Sequence, residues 1–327
     1  VGGVLLAGML TVGRIQRVFW NDDESRLRAP LRLVAAAVVF AVVLTVFLSV
    51  AARLFVAAGF DEEFFLEFWG LASLLGVSAV GFVVAVVVVA RYVDRRRLSD
   101  YGLRFDRRWW GDLGFGLAVG AALPTAIFGV GVAAGWYDVT GFAVSDGSFT
   151  VSFAAIVVVF VLVGVYEEVL FRGWLLTNLG EGLRRYGEDV AVGGAVAVSS
   201  VLFGVLHLGN PGATVASAAV ITLAGVLLGV SYVLTGELGV AVGFHVTWNL
   251  FKGSVYGFEV SGLDIPVTVV ETEAVGPAAA TGGEFGPEGG ALGAAAVVVG
   301  IAAVVWWARR GGETEVDEKV TTPDLRG

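Results

Sequence analysis

The chain has 327 residues, 57% of them hydrophobic, with a mean hydropathy of +0.82 and a net charge of −9. No soluble domain of this length needs so much apolar surface, and runs of roughly 18 to 25 apolar residues recur, the pattern of helices that cross a bilayer. There is no cysteine, which excludes disulfides, thiolate metal sites and cysteine nucleophiles, and no basic groove with interleaved aromatics, so nucleic acid is not an expected partner.

The expected fold is all-α, a polytopic membrane protein of about eight transmembrane helices. "VGGVLLAGMLTVGRIQRVFW" opens the chain with an apolar run too short to span, followed by Arg14 and Arg17. It reads as an interfacial helix within a cytoplasmic segment 1–30, not as a cleaved signal. The membrane domain is expected over 31–308. Its spans are Leu33 to Ala58, Phe68 to Val93, Leu113 to Ala134, a fourth from Val151, Val190 to His207, Thr214 to Leu234, Leu238 to Phe258, and Ala291 to Trp307. The loop 259–290 is rich in Gly, Ala and Glu and is expected to be flexible. The acidic tail 309–327 is expected to be disordered from Gly311 on.

Arginine placement orients the spans. Arg14, Arg17, Arg26 and Arg28 precede the first span, "DRRRLSDYGLRFDRRWW" lies between the second and third, and Arg184, Arg185, Arg309 and Arg310 fall on the same side. The opposite loops, including "GFDEEFF", "LGNPG" and 259–290, hold no Lys or Arg. The bias places both termini in the cytoplasm of a multi-pass plasma-membrane protein. Two points weigh against it: the short "TGEL" turn between the sixth and seventh spans should be cytoplasmic but has no basic residue, and Arg53 sits toward the outer end of the first span. Only Lys252 and Lys319 are lysines. This acidic, lysine-poor, Val/Ala/Gly-rich composition fits a halophilic microbe or GC-rich codon bias. Lys252 is expected to snorkel outward, and Trp109, Trp110, Trp306 and Trp307 to anchor at the interface.

The fourth span holds charge. "VLVGVYEEVLFRGWLL" carries Glu167, Glu168 and Arg172, each costing several kcal/mol in hydrocarbon. Glu168 and Arg172 are four apart and share a helix face, so they can neutralise each other. Glu167 lies about 100° further round and is left as a carboxylate able to accept a proton. Taken alone, the cluster is equally readable as an ordinary helix motif or a charged cap. The only two histidines, His207 and His245, both fall in spans, with Phe203 and Asn249 four residues from them. For Glu167 to lie at the depth of His207, the fourth helix must run on to about Leu183, placing Glu167 about 24 Å from its cytoplasmic end.

Three motifs in order, E-E-x-x-x-R, F-x-x-x-H and H-x-x-x-N, resemble those of the CPBP family, the CAAX proteases and bacteriocin-processing intramembrane proteases. "LFRGWLL", "SSVLFGVLH" and the earlier "LSDYGL" add to the likeness, which covers about residues 150–255. The resemblance implies hydrolysis of peptide or lipid-modified protein substrates within the bilayer. Glu167 and His207 would activate water, His245 and Asn249 would stabilise the oxyanion, Glu168 and Arg172 would form a structural ion pair, and Phe203 would pack the motif. No cofactor is expected on the favoured glutamate mechanism. The metalloprotease reading would place zinc on Glu167, His207 and His245. A non-enzymatic immunity or scaffold protein of the same fold, or a proton-coupled transporter, are the alternatives; inverted repeats and broken helices, typical of transporters, are not evident.

Overall fold

In the computed structural model, residues 19–61, 63–66, 68–145, 147–312 and 315–326 are described. The expected interfacial helix falls largely on 1–18, outside them. Among the described residues, seven helices are long and apolar enough to cross a membrane. The protein is an all-α, multi-pass membrane protein. The helices are α1 (Ala29–Ala57), α2 (Phe68–Tyr92), α3 (Arg107–Ala133), α4 (Phe149–Tyr186), α5 (Glu188–Leu206), α6 (Val215–Thr235), α7 (Gly239–Leu250) and α8 (Ala291–Arg310).

The one shorter than a full span is α7, expected as Leu238 to Phe258. It continues as a π-helical turn, Phe251–Val255, and stops before Gly257, whose φ of 65° is left-handed. It nevertheless joins the two ends of the bundle. Glu237 at its start meets Lys319 of the tail, and Gly257 beyond its end lies against Val270 and Glu271. The long α4 is continuous over 38 residues. Its α geometry ends at Glu168, π geometry runs over Val169–Leu176, and α geometry resumes at Thr177–Leu183.

Small residues let α7 approach its neighbour. Gly116 and Gly120 of α3 face the Val240 and Phe244 carbonyls, while Gly239 and Gly243 of α7 face the Trp109 and Leu113 carbonyls. A Cβ at any of the four would collide with backbone. Without a hydrophobic drive between helices in lipid, this close van der Waals approach is what fixes α7 against α3.

The loops gather at two ends. At one, Arg26, Arg32 and Arg96 converge on Glu181 of α4 at 2.7–2.9 Å. Asp94 there takes bonds from the Tyr101 hydroxyl (2.5 Å) and the Asn178 amide (2.8 Å). The tail joins this end and corrects the expectation of disorder. Val320 is fully buried, the Asp317 amide donates to the Val233 carbonyl (2.9 Å), and Arg326 pairs backbone to backbone with Arg95 (2.7 Å). Acidic composition argued for a solvated tail, but Val316 and Val320 carry enough apolar surface to anchor it.

At the other end, β1 (Tyr137–Ser145) pairs antiparallel with β2 (Val267–Ala274), from Tyr137 opposite Ala274 to Ser145 opposite Val267. The expectation of a flexible 259–290 loop is therefore also corrected. Its Val-rich run supplies strand residues, and Phe285 and Glu288 are buried. Of the tryptophans expected at the interface, Trp110 and Trp306 are exposed. Trp109 is buried and donates to the Gly102 carbonyl (3.0 Å), and Trp307 donates to Asp112 (2.8 Å).

Candidate active site

A cavity of about 410 Å³ opens among α2, α4, α5, α6 and α7, and Glu167, His207, His245 and Asn249 all line it. The long α4 brings Glu167 to the depth of the histidines. Its 20 residues of α-helix before the π segment are strongly apolar, and the buried network around Glu181 fixes its far end.

The two adjacent glutamates have different surroundings. Glu167 is part-exposed to the cavity. Its Oε1 accepts from the Tyr166 hydroxyl at 3.1 Å, and its Oε2 lies 3.8 Å from His245 Nε2. Glu168 is fully buried. Its Oε1 accepts from Arg172 Nη1 at 2.9 Å and from His245 Nδ1 at 2.7 Å. The Glu168–Arg172 pair is thus formed as the spacing implied. The bond to His245 was not read from the sequence, because it depends on how α7 is rotated against α4.

Each histidine has one ring nitrogen committed. His207 Nδ1 donates to the Phe203 carbonyl at 2.7 Å, which leaves Nε2 without a proton in the neutral ring. His245 Nδ1–H is directed at the Glu168 carboxylate, so Nε2 can also donate only when the ring is doubly protonated. Phe203 is the hub of this packing. Its ring stands edge-on to Phe171 (5.1 Å, 81°) and to His245 (6.2 Å, 89°), and the Arg172 guanidinium lies 4.5 Å from its centre. Asn249, one turn beyond His245 and 7% exposed, makes no hydrogen bond to the described residues.

The loop end of the cavity holds residues that sequence reasoning missed. Lys252 does not snorkel outward; it is fully buried and paired with Glu288. Glu288 lines the cavity, taking bonds from Trp248 Nε1 (2.6 Å) and from the Ser261 amide (3.1 Å) and hydroxyl (2.7 Å). Burial alone would raise the Glu288 pKa, but the Lys252 charge and these donors outweigh it and hold the carboxyl at about 2. A lone lysine in an apolar helix was the available signal; nothing in the Gly-rich loop marked its partner. The loop is clamped onto α7 one turn past Asn249.

A zinc site was weighed on Glu167, His207 and His245. Nδ1 donation from each ring to an oxygen is the arrangement that orients metal-bound imidazoles. Yet among the described residues no three His, Asp or Glu side chains are gathered closely enough to hold a metal ion. The donor types suit zinc and their spacing does not.

Residues 149–251 match the Rce1-like family of type II CAAX prenyl endopeptidases. The match spans α4 to the end of α7 and contains all three motifs. It agrees with the resemblance to the CPBP and CAAX proteases and supports a protease of that membrane-embedded kind. No curated protein and no solved structure matches the chain.

Proposed function

We propose that this protein is an intramembrane endopeptidase of the CAAX-processing kind that works by glutamate-activated water. A water between Glu167 and His207 would give one proton to the Glu167 carboxylate while its other hydrogen bonds to the bare Nε2 of His207. The oxygen lone pair is then directed at the substrate carbonyl. The developing oxyanion would accept from the Asn249 amide, which has no competing partner among the described residues, and from Nε2–H of doubly protonated His245. The proton held by Glu167 passes to the departing amine as the C–N bond breaks. The apolar flank, with Leu75, Phe82, Val159 and Phe160 among its lining residues, suits a peptide delivered from the bilayer, lipid-modified or not.

The observation that carries this reading is the convergence of four polar side chains from three helices on one cavity, with Glu168 buried behind them. The test is cleavage of a quenched peptide library by the purified protein beside Glu167→Gln. Activity should fall by about 10²- to 10⁴-fold with the thermal unfolding unchanged. Full cleavage by the variant would end the proposal. Chelation should leave cleavage intact; reversible loss restored by zinc would overturn the metal-free mechanism. We also place the arginine-rich end in the cytoplasm of the plasma membrane. A cysteine at Val270 of this cysteine-free chain should then react only from outside, and labelling only from the cytoplasm would reverse the orientation.

A further inference from the structure

The joint that delivers α7 to the candidate site is short. Between α6 and α7 lie only Gly236, Glu237 and Leu238. Gly236 is left-handed, with φ of 66°, a conformation glycine adopts because it has no side chain. His245 follows eight residues after Glu237, about 12 Å along the helix axis. Its 2.7 Å bond to Glu168 of α4 depends on where α7 sits. The four glycines between α3 and α7 set how closely those helices approach, but they offer no side chain that resists sliding or rotation. Leu238 is held by the Gly102 carbonyl, which accepts from its amide at 3.0 Å. What holds Gly236 is the tail.

The tail crosses this joint and reaches α4 within four residues. The Asp317 amide donates to the Val233 carbonyl of α6 at 2.9 Å. The Asp317 side chain covers Gly236, where an added Cβ would strike the carboxylate. Lys319 Nζ donates to the Gly236 carbonyl and to Glu237 Oε1, both at 3.0 Å. Val320 is fully buried, and its carbonyl lies against Gly180 of α4, where an added Cβ would collide with it. Further on, Leu325 pairs antiparallel with Arg96, and Arg326 Nε donates to the Arg96 carbonyl at 3.0 Å. Gly180 lies on the same continuous helix as Glu168. One short segment therefore grips both helices that meet at the Glu168–His245 bond.

We infer that residues 315–326 form a positioning strap, which locks the α6–α7 joint against α4 and so keeps His245 in register with Glu168. Its effect on turnover rests on the endopeptidase reading; its effect on the joint does not. The Lys252–Glu288 pair fixes α7 on the far side of His245, and the strap fixes the near side. With the strap released, α7 can tilt or turn on its glycine face. A misplacement of about 1 Å at reacting groups is enough to cost about 10²-fold in rate. Lys319 and Val320 are then positioning residues that touch no substrate.

Full-length Lys319→Met, Lys319→Arg and Val320→Asp, purified in detergent, test this by amide hydrogen exchange and by peptide cleavage. Lys319→Met is the mild variant, because Glu237 keeps Arg104 at 3.2 Å as a counter-charge. Exchange in Lys319→Met should rise by about tenfold or more over 236–245 and stay at the wild-type level over 149–165. Its kcat should fall by about tenfold with KM within about twofold. Lys319→Arg should recover most of both, and Val320→Asp, which places a carboxylate in an apolar site, should exceed Lys319→Met in both. Unchanged exchange over 236–245 in Lys319→Met and Val320→Asp alike would overturn the strap. So would a rise in Lys319→Met spread evenly over the bundle, or a local rise with kcat unchanged. If the unsubstituted protein cleaves nothing, the endopeptidase reading fails, and the exchange pattern alone decides whether the strap holds the joint.

Discussion

Glu168 holds two partners through one oxygen, and this allows its structural and positioning roles to be separated by substitution. Arg172 is 1% exposed and Glu168 is fully buried. Removing one member of such a pair costs about 3–5 kcal/mol, because the other is left charged and desolvated. Arg172→Met should fall at the low end, about 3 kcal/mol, since Glu168 keeps the 2.7 Å bond from His245 and a hydrogen bond to a charged group is worth about 1.5–3 kcal/mol. Glu168→Leu should reach about 5 kcal/mol, because Arg172 then keeps, among the described residues, one hydrogen bond to the Gly225 carbonyl at 3.3 Å and the Phe203 ring but no counter-charge in contact. Two double variants divide the roles. Arg172→Met with Glu168→Gln removes both charges but preserves an acceptor for His245 Nδ1–H. It should recover most of the stability and retain measurable cleavage. Arg172→Met with Glu168→Leu should be equally stable, yet its His245 ring is free to turn, and turnover should fall by at least about tenfold more. Stability is read by denaturant titration in detergent on the fluorescence of the nine tryptophans, and turnover by peptide cleavage. Equal turnover in the two double variants would refute the positioning of His245 by Glu168. A cost below about 1 kcal/mol for Arg172→Met would refute the desolvated pair.

Further outcomes follow from the same geometry. Asn249→Ala should lower kcat by about 10²- to 10³-fold with little change in KM, because on the proposed mechanism the amide is engaged only by the oxyanion; a rise in KM at constant kcat would assign it to ground-state binding instead. Lys252→Met should release the clamped loop and raise protease nicking between 259 and 290, and Glu288→Gln added to it should restore protection by removing the stranded carboxylate. Glu288, at about 2 when folded against an ordinary 4.5, contributes stability that is complete above pH about 4.5 and is lost as pH falls toward about 2. Melting curves across that window should show a step that disappears in Glu288→Gln, and an unchanged profile would refute the coupling.

The sequence already disclosed what depends on one helix at a time. Apolar runs marked the spans, the i, i+4 spacing paired Glu168 with Arg172, and depth arithmetic required α4 to run on past Glu167. What it did not disclose depends on how two elements meet. The π segment Val169–Leu176 leaves no trace in so uniformly apolar a run. The Glu168–His245 bond depends on the rotation of α7, which is set by glycines packed on α3. Lys252 was read as outward-facing because its partner sits 36 residues away in a Gly-rich loop with no periodicity. The tail was read as disordered on charge alone, although two valines and a backbone pairing to Arg95 hold it.

The placement of three charges in the middle of an apolar helix has a physical account in this arrangement. Consecutive residues on a helix diverge by about 100°, so adjacent carboxylates need not share an environment. One turns inward, where Arg172 and His245 offset its desolvation and Phe203 packs over the guanidinium. The other turns to a cavity, where among the described residues its one hydrogen bond comes from a tyrosine hydroxyl and its second oxygen, 3.8 Å from His245 Nε2, stays available. A single glutamate could not both anchor an imidazole and move a proton, because each bond that fixes a carboxylate also stabilises its charged form and weakens it as a base. On the proposed mechanism, dividing the tasks between Glu167 and Glu168 leaves the base uncommitted while the histidine beside it is held. The same division explains why Glu167→Gln should be silent in stability and Glu168→Leu should not.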